Sequence, residues 1–148
     1  MKNLLLLLFL LSAILFSHQQ ANAQTEAQKI DLCIKAAGDV KYVADFPVQL
    51  SGTRSGERIP QFRKAIALRK GNRYRFTICT DELSLGEGVL RLFDENRLMG
   101  TSYDPKTGKE YRSFDFDCHK TGAYILFISF KDGKEGSAVG IVSHVKTL

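Results

Sequence analysis

The sequence predicts an all-β protein, an antiparallel jelly-roll-like β-sandwich of seven or eight strands with a short N-terminal helix. Three observations lead to this class. Short runs rich in β-branched and aromatic residues recur at roughly ten-residue spacing, with Gly, Pro, Asn or Asp between them. Several of these runs alternate apolar and polar residues, as strands with one buried face do. Helical spacing appears mainly around residues 25–37.

The first 23 residues have the pattern of a secretory signal peptide. Lys2 precedes an apolar run from Leu4 to Phe16, and Ala21-Asn22-Ala23 has the small-residue form of a cleavage site. The apolar run is shorter than the roughly 20 residues that a membrane-spanning helix needs. We therefore expect residues 1–23 to be removed and residues 24–148 to form a single β-sandwich domain. The mature protein is expected in the periplasm or the extracellular space, without a membrane span.

The segment after the cleavage site predicts the helix. Thr25 and Gln28 have the spacing of a capping box. Apolar residues then recur at helical spacing up to Gly38, namely Ala27, Ile30, Ile34 and Ala37. Ile30, Leu32 and Ile34 also alternate, so a strand remains the alternative here.

The rest of the chain predicts strands separated by turns. Pro47 favours an edge strand or a bulge for the first of them. Tyr74, Phe76 and Ile78 alternate with polar residues, which gives that strand one core face and one solvent face. The predicted strands cover residues 40–50, 62–69, 74–78, 89–93, 98–103, 113–118, 123–130 and 138–145.

Three of these segments resemble the bacterial pre-peptidase C-terminal (PPC-type) β-sandwich domain, over residues 68–130. They are Lys70-Gly71-Asn72-Arg73-Tyr74-Arg75-Phe76, Leu90-Arg91-Leu92-Phe93-Asp94 and Gly122-Ala123-Tyr124-Ile125-Leu126. Domains of that family are exported and non-catalytic. The resemblance implies a role in binding or secretion for this chain.

Composition argues against a nucleic-acid partner. Removing Lys2 with the signal peptide leaves 20 Lys and Arg against 16 Asp and Glu, a net charge of +4. The basic residues are scattered, and no aromatic-basic RNA-binding motif is present. Lys109 follows Gly108 without the other glycines of a phosphate-binding loop, and we expect no cofactor.

The three cysteines predict one disulfide and one remaining thiol in an oxidising compartment. Cys79 and Cys118 both end predicted strands in the body of the sandwich, whereas Cys33 lies in the N-terminal segment. We therefore expect a bridge between Cys79 and Cys118, with a pairing of Cys33 left open.

No catalytic set is expected. Cys118 and His119 are adjacent, and neighbouring side chains on a strand point in opposite directions, whereas a catalytic triad requires convergence. The same geometry separates Ser143 from His144. A small secreted hydrolase using Cys118, His119 or His144 remains an alternative function.

Turn carboxylates are the candidate metal ligands. Asp94, Glu95 and Asp104 lie in two turns that flank one predicted hairpin, and carboxylate oxygens suit calcium. The same residues are ordinary in turns, where their side chains support the backbone. The sequence therefore leaves two roles open for these three residues, calcium binding and support of the turn backbone.

These observations favour an exported, non-catalytic binding or interaction module with a protein or glycan partner. The run from Ala123 to Phe130 is apolar on both faces, so one face needs a cover or binds a partner. The candidate partner face comprises Ile125, Phe127, Val89 and Phe93. We expect Ile30, Leu32 or Ile34 to cover Ile125 and Phe127. A carrier with a small apolar ligand inside the barrel is a further alternative.

Overall fold

The computed structural model describes residues 26–148, so the predicted signal peptide lies outside the described residues. A short helix, α1, covers residues 26–36. The strands that follow are β1 (Lys41–Leu50), β2 (Phe62–Leu68), β3 (Asn72–Thr80), β4 (Gly88–Asp94), β5 (Arg97–Thr101), β6 (Tyr103–Asp104), β7 (Lys109–Glu110), β8 (Ser113–Cys118), β9 (Gly122–Phe130) and β10 (Gly136–Thr147). A single 3-10 turn, Lys131–Gly133, separates the last two. Within 26–148 no helix has the length and apolar character to cross a membrane.

Eight of the strands form two antiparallel sheets of four. The first sheet has the order β1-β10-β3-β8 and the second sheet the order β2-β9-β4-β5. Strands β6 and β7 form a separate short hairpin. The predicted all-β, antiparallel architecture with one short helix is confirmed, and the jelly-roll description stays a prediction.

The core lies between the two sheets and follows from the alternation in the sequence. Phe76 of β3 is 1% exposed, while Leu90 and Leu92 of β4 and Leu126 and Ile128 of β9 are fully buried. Burying each such side chain contributes roughly 1.5–3 kcal/mol. Side chains of both sheets belong to one cluster, so the space between the sheets is filled by the protein itself.

The helix packs on the outer surface of the first sheet. Cys33 is buried with Val139 and Ile141 of β10, and Ile30 and Ile34 pack beside them. The spacing of Ile30, Cys33 and Ile34 places them on one face of the helix. The prediction of a helix in this segment is confirmed, and the alternative prediction of a strand is wrong.

The predicted cover for Ile125 and Phe127 is wrong. Both residues belong to the outer face of the second sheet, on the opposite side of the sandwich from α1. The strand that the helix covers is β10, whose Ala138 lies in the core while its neighbour Val139 contacts the helix. Two strands therefore have two apolar faces, and the sequence pattern alone did not decide between them.

A disulfide joins Cys33 of α1 to Cys79 of β3 across a sequence separation of 46 residues. The predicted bridge between Cys79 and Cys118 is therefore wrong, and Cys118 is a buried free thiol. Both cysteines end a strand, but β3 and β8 are antiparallel, so Cys118 pairs with Asn72 at the far end of β3. Cys118 also points into the core with Phe116, whereas Cys79 points outward to the helix.

The connections between strands differ between the two ends of the sandwich. One end, the turn end, has the short connections at residues 69–71, 95–96 and 119–121. The other end, the loop end, has the longer ones at residues 51–61, 81–87, 102–112 and 131–135. Helix α1 starts at the loop end, where Lys29 pairs with Asp81. Because long loops on a rigid scaffold commonly carry binding or catalytic residues, the loop end is the candidate location of a functional site.

Candidate binding surface

The β3–β4 loop, residues 81–87, crosses the loop end and is held by hydrogen bonds on both sides. The backbone N–H of Asp81 donates to the carbonyl oxygen of Ser137 at 2.8 Å, and that of Gly86 donates to Glu135 at 3.0 Å. Inside the loop, the N–H of Leu83 donates to Oδ1 of Asp81 at 3.1 Å. The first and last parts of the loop are thus tied to the chain that begins β10.

Close packing at Gly86 fixes the loop against β9. A Cβ atom added there would lie 2.9 Å from Cβ of Phe130 and 3.0 Å from Cβ of Lys134, closer than side chains tolerate. The hydroxyl of Ser84 donates to the carbonyl oxygen of Gly86 at 2.7 Å and accepts from the N–H of Ser137 at 3.3 Å. The loop therefore has a defined backbone before any partner arrives.

This ordered loop exposes two leucines. Leu83 is 91% exposed and Leu85 is 68% exposed, and Leu32 on α1 is 65% exposed. Leu32 and Leu83 line a groove of about 650 Å³ between the helix and the loop. Leu83 and Leu85 line a neighbouring groove of about 470 Å³ beside the end of β1. We call these three side chains the leucine strip and regard it as a candidate interaction surface.

Leu83 and Leu85 are not among the site residues predicted from the sequence, and Leu32, predicted there as a possible cover for Ile125 and Phe127, is exposed instead. The signal is present in Asp81-Glu82-Leu83-Ser84-Leu85-Gly86-Glu87, where two large aliphatic residues stand among polar residues and glycine between two strands. Such residues in a loop are usually taken as minor core contacts. Their exposure depends on the backbone contacts of the loop, which the sequence pattern does not reveal.

The loop that carries Leu83 and Leu85 is acidic. Residues 81–87 contain Asp81, Glu82 and Glu87 and neither Lys nor Arg, although the whole chain has 21 Lys and Arg against 16 Asp and Glu. Lys29 pairs with Asp81, and this pairing, followed by the hydrogen bond from the loop backbone, holds the pKa of that carboxyl below its usual value. Arg112 lines the groove beside the helix and offsets part of the negative charge.

Three of the four residues predicted as a partner face lie together on the second sheet. Phe93 is the register partner of Ile125, and the rings of Phe93 and Phe127 meet edge to face at 5.4 Å. All three are half-buried. Val89 does not belong to an accessible face, because Val89 and its register partner Ser129 are each 3% exposed. The predicted face is thus a smaller patch of two aromatic rings and one isoleucine.

The residues of the hydrolase alternative do not converge on an accessible site. The thiol of Cys118 is fully buried and donates to the carbonyl oxygen of Lys120 at 3.1 Å. His119 is exposed, while Nε2 of His144 lies 3.0 Å from Oδ1 of Asn72. A nucleophilic thiol needs a path to the substrate and a neighbouring base. A buried thiol hydrogen-bonded to a backbone carbonyl has neither.

The predicted calcium ligands do not form a site. Asp94 lies next to Glu95 at the turn end and is 3.5 Å from both Arg97 and Lys120. Asp104 lies toward the loop end, where hydrogen bonds from the backbone and side chain of its own turn lower its pKa. One turn precedes β5 and the other follows it, so the two turns lie at opposite ends of that strand. In the part of the chain that the structure describes, no group of three or more His, Cys, Asp or Glu is placed to hold a metal ion.

Comparison with known proteins finds similarity at the level of the fold. No family model matches the chain, and no curated protein matches it. Among solved structures, the chain is similar to PliG of Aeromonas hydrophila, a periplasmic lysozyme inhibitor of g-type lysozyme. The TM-score is 0.52 at 10% identity, over 70% of this chain and 87% of PliG. The resemblance to the PPC-type domain stays a prediction.

Proposed function

We propose that this protein is an exported, non-catalytic module that binds another protein, and that its partner is a lysozyme of the g type. The observation that carries the proposal is the fold similarity to PliG, which extends over 87% of that chain. PliG is periplasmic and inhibits g-type lysozyme. The signal peptide pattern of residues 1–23 predicts export for this chain too, which would place it where lysozymes act.

The surface supports binding over catalysis or transport. The grooves at the loop end open to solvent and combine an apolar strip with charged side chains, as protein interfaces do. The most nucleophilic side chain, Cys118, is enclosed in the core. The interior between the sheets is occupied by leucine, isoleucine and aromatic side chains, which leaves an apolar carrier function without support.

A protein partner is favoured over a glycan because the exposed side chains at the loop end are aliphatic. Leu83 and Leu85 gain free energy by leaving water against another apolar surface, at roughly 25 cal/mol per Å². A glycan presents mainly hydroxyl groups and offers little such surface. A non-catalytic binding role also agrees with what the resemblance to PPC-type domains implies.

Binding and inhibition assays with purified lysozymes test the proposal. The chain should be produced with its signal peptide, so that Cys33 and Cys79 pair during export, and purified through a tag placed after Leu148. Titration calorimetry against g-type, c-type and i-type lysozymes is combined with a turbidity assay of cell-wall lysis, with PliG as the positive control. We expect saturable binding to g-type lysozyme and a proportional loss of lysis. Failure to bind any g-type lysozyme at 10-fold excess, while PliG binds, would overturn the proposed partner.

A further inference from the structure

We infer that the β3–β4 loop is the element with which this protein enters its partner, and that the partner presents an apolar pocket bordered by lysine or arginine. The inference rests on the proposed function and names the surface that performs it. It is carried by three observations on residues 81–87: an ordered backbone, two exposed leucines and an acidic composition.

The ordered backbone limits the entropy that binding must overcome. Asp81 is hydrogen-bonded to Ser137 at the start of β10, Gly86 to Glu135 just before that strand, and Ser84 to both Gly86 and Ser137. A loop already fixed in its bound form loses little conformational freedom on association. Leu83 and Leu85 therefore project from a rigid support, which is the arrangement expected of anchor residues at the centre of an interface.

The neighbouring helix extends the apolar surface. The groove between α1 and the loop is lined by Leu32 and Leu83 and by the two cysteines of the Cys33–Cys79 disulfide. This groove accepts an apolar side chain of the partner while Leu83 and Leu85 enter the partner's pocket. Each protein then inserts apolar side chains into the other, and the Cys33–Cys79 disulfide holds α1 against the sheet beside the groove.

The β3–β4 loop carries three carboxylates and neither Lys nor Arg, in contrast to the net positive charge of the chain, while Lys29, Arg112 and Lys134 lie beside it. Glu82 is exposed and Glu87 follows it in the same loop, whereas Asp81 is already paired with Lys29. Glu135, whose backbone accepts from the loop, lines the second groove. Carboxylates around an apolar anchor favour a partner whose pocket is bordered by basic side chains and disfavour one bordered by acidic side chains.

The test compares variants of the leucine strip with a matched variant at the other end. Leu83→Asp combined with Leu85→Asp should weaken binding to g-type lysozyme at least 30-fold, as loss of anchor residues does. Because both side chains are exposed, the thermal melting temperature should stay unchanged. Leu148→Asp, at a leucine that is 52% exposed at the turn end, is the control and should bind within threefold of the wild type.

Charge variants test the second half of the inference. Glu82→Lys should weaken binding about tenfold, and the wild-type affinity should fall as salt rises. Asp39→Lys makes the same change in net charge at the turn end and should bind within threefold of the wild type. Equal binding by the double leucine variant and the wild type would overturn the inference and leave the proposed function standing. Absence of wild-type binding to g-type lysozyme would overturn both, and tighter binding by Glu82→Lys would overturn the basic border.

Discussion

The disulfide should account for a large part of the stability of this protein. Cys33–Cys79 closes a loop that runs from the last turn of α1 through β1 and β2 into β3, since the cysteines are 46 residues apart. Replacing both cysteines with alanine, as Cys33→Ala and Cys79→Ala, removes the cross-link without introducing a buried hydroxyl. The helix would then keep only its apolar contacts with Val139 and Ile141 and the polar contacts at its ends.

The loop length sets the expected magnitude. A closed loop of this size gives about 4 kcal/mol in the chain-entropy model, and natural bridges usually contribute about 2–4 kcal/mol. For a domain near this length, 3 kcal/mol corresponds to a fall in melting temperature of roughly 8–15 °C. The loss arises mainly in the unfolded state, so the denaturant dependence of unfolding should become steeper.

Urea unfolding and differential scanning calorimetry of three proteins measure this effect. The double alanine variant should unfold at lower urea, and the wild type in a thiol reductant should approach it. Cys118→Ala is the matched control: it alters a free thiol in the core and should cost roughly 1 kcal/mol in both oxidised and reduced protein. A double variant that melts within 2 °C of the oxidised wild type would refute the reasoning.

Acid should loosen the contact between α1 and the β3–β4 loop. The folded-state pKa of Asp81 is lowered by Lys29, so this stabilisation is present above the unfolded value of about 3.9 and is lost as the pH falls through the folded value. Because Lys29 is half-exposed, the effect should stay below about 1 kcal/mol, and melting curves of Asp81→Asn should lack this part of the pH dependence. Leu126→Ala in the fully buried core should cost roughly 2–5 kcal/mol in urea unfolding, and a cost below about 1 kcal/mol would contradict the assigned core. The exported protein should start at Gln24, and an intact mass that places the start before residue 20 or beyond residue 30 would contradict cleavage after Ala23.

Much of the fold follows from local pattern. Alternation at Tyr74, Phe76 and Ile78 identified a core face, and all three side chains belong to the main core cluster. Pro47 favoured an edge position, and β1 is the outermost strand of the first sheet, with a register shift between Tyr42 and Ala44. These features depend on neighbouring residues, which the sequence displays directly.

The errors concern relations between distant segments. The predicted partner for Cys79 was Cys118 because both end strands, and the antiparallel pairing of β3 with β8 places those ends far apart. The helix was predicted to cover β9, although β10 also has apolar residues on both faces. Which of two such strands a helix covers depends on sheet order, and sheet order is set by contacts between residues far apart in the chain.

The candidate site was the least predictable part. Cys118 and His119 are candidates by chemical type, but their side chains do not meet. Cys118 ends β8 and is buried, whereas His119, the next residue, is exposed. Leu83 and Leu85 are chemically ordinary, and they form a candidate site only because a fixed loop holds them away from the core. Sequence pattern reports hydrophobicity, whereas the exposure of a particular leucine depends on the tertiary contacts of the backbone beneath it.

The start of α1 and the C-terminal residue lie at opposite ends of the sandwich, which determines how a tether or fusion partner orients the molecule. Helix α1 begins beside the β3–β4 loop, where Lys29 meets Asp81, whereas Leu148 is bonded through its N–H to Gly71 at the turn end, at 2.8 Å. A tether or fusion partner joined after Leu148 therefore directs the leucine strip away from its carrier, toward solution. An extension ahead of α1 joins the protein beside the leucine strip and limits access to it.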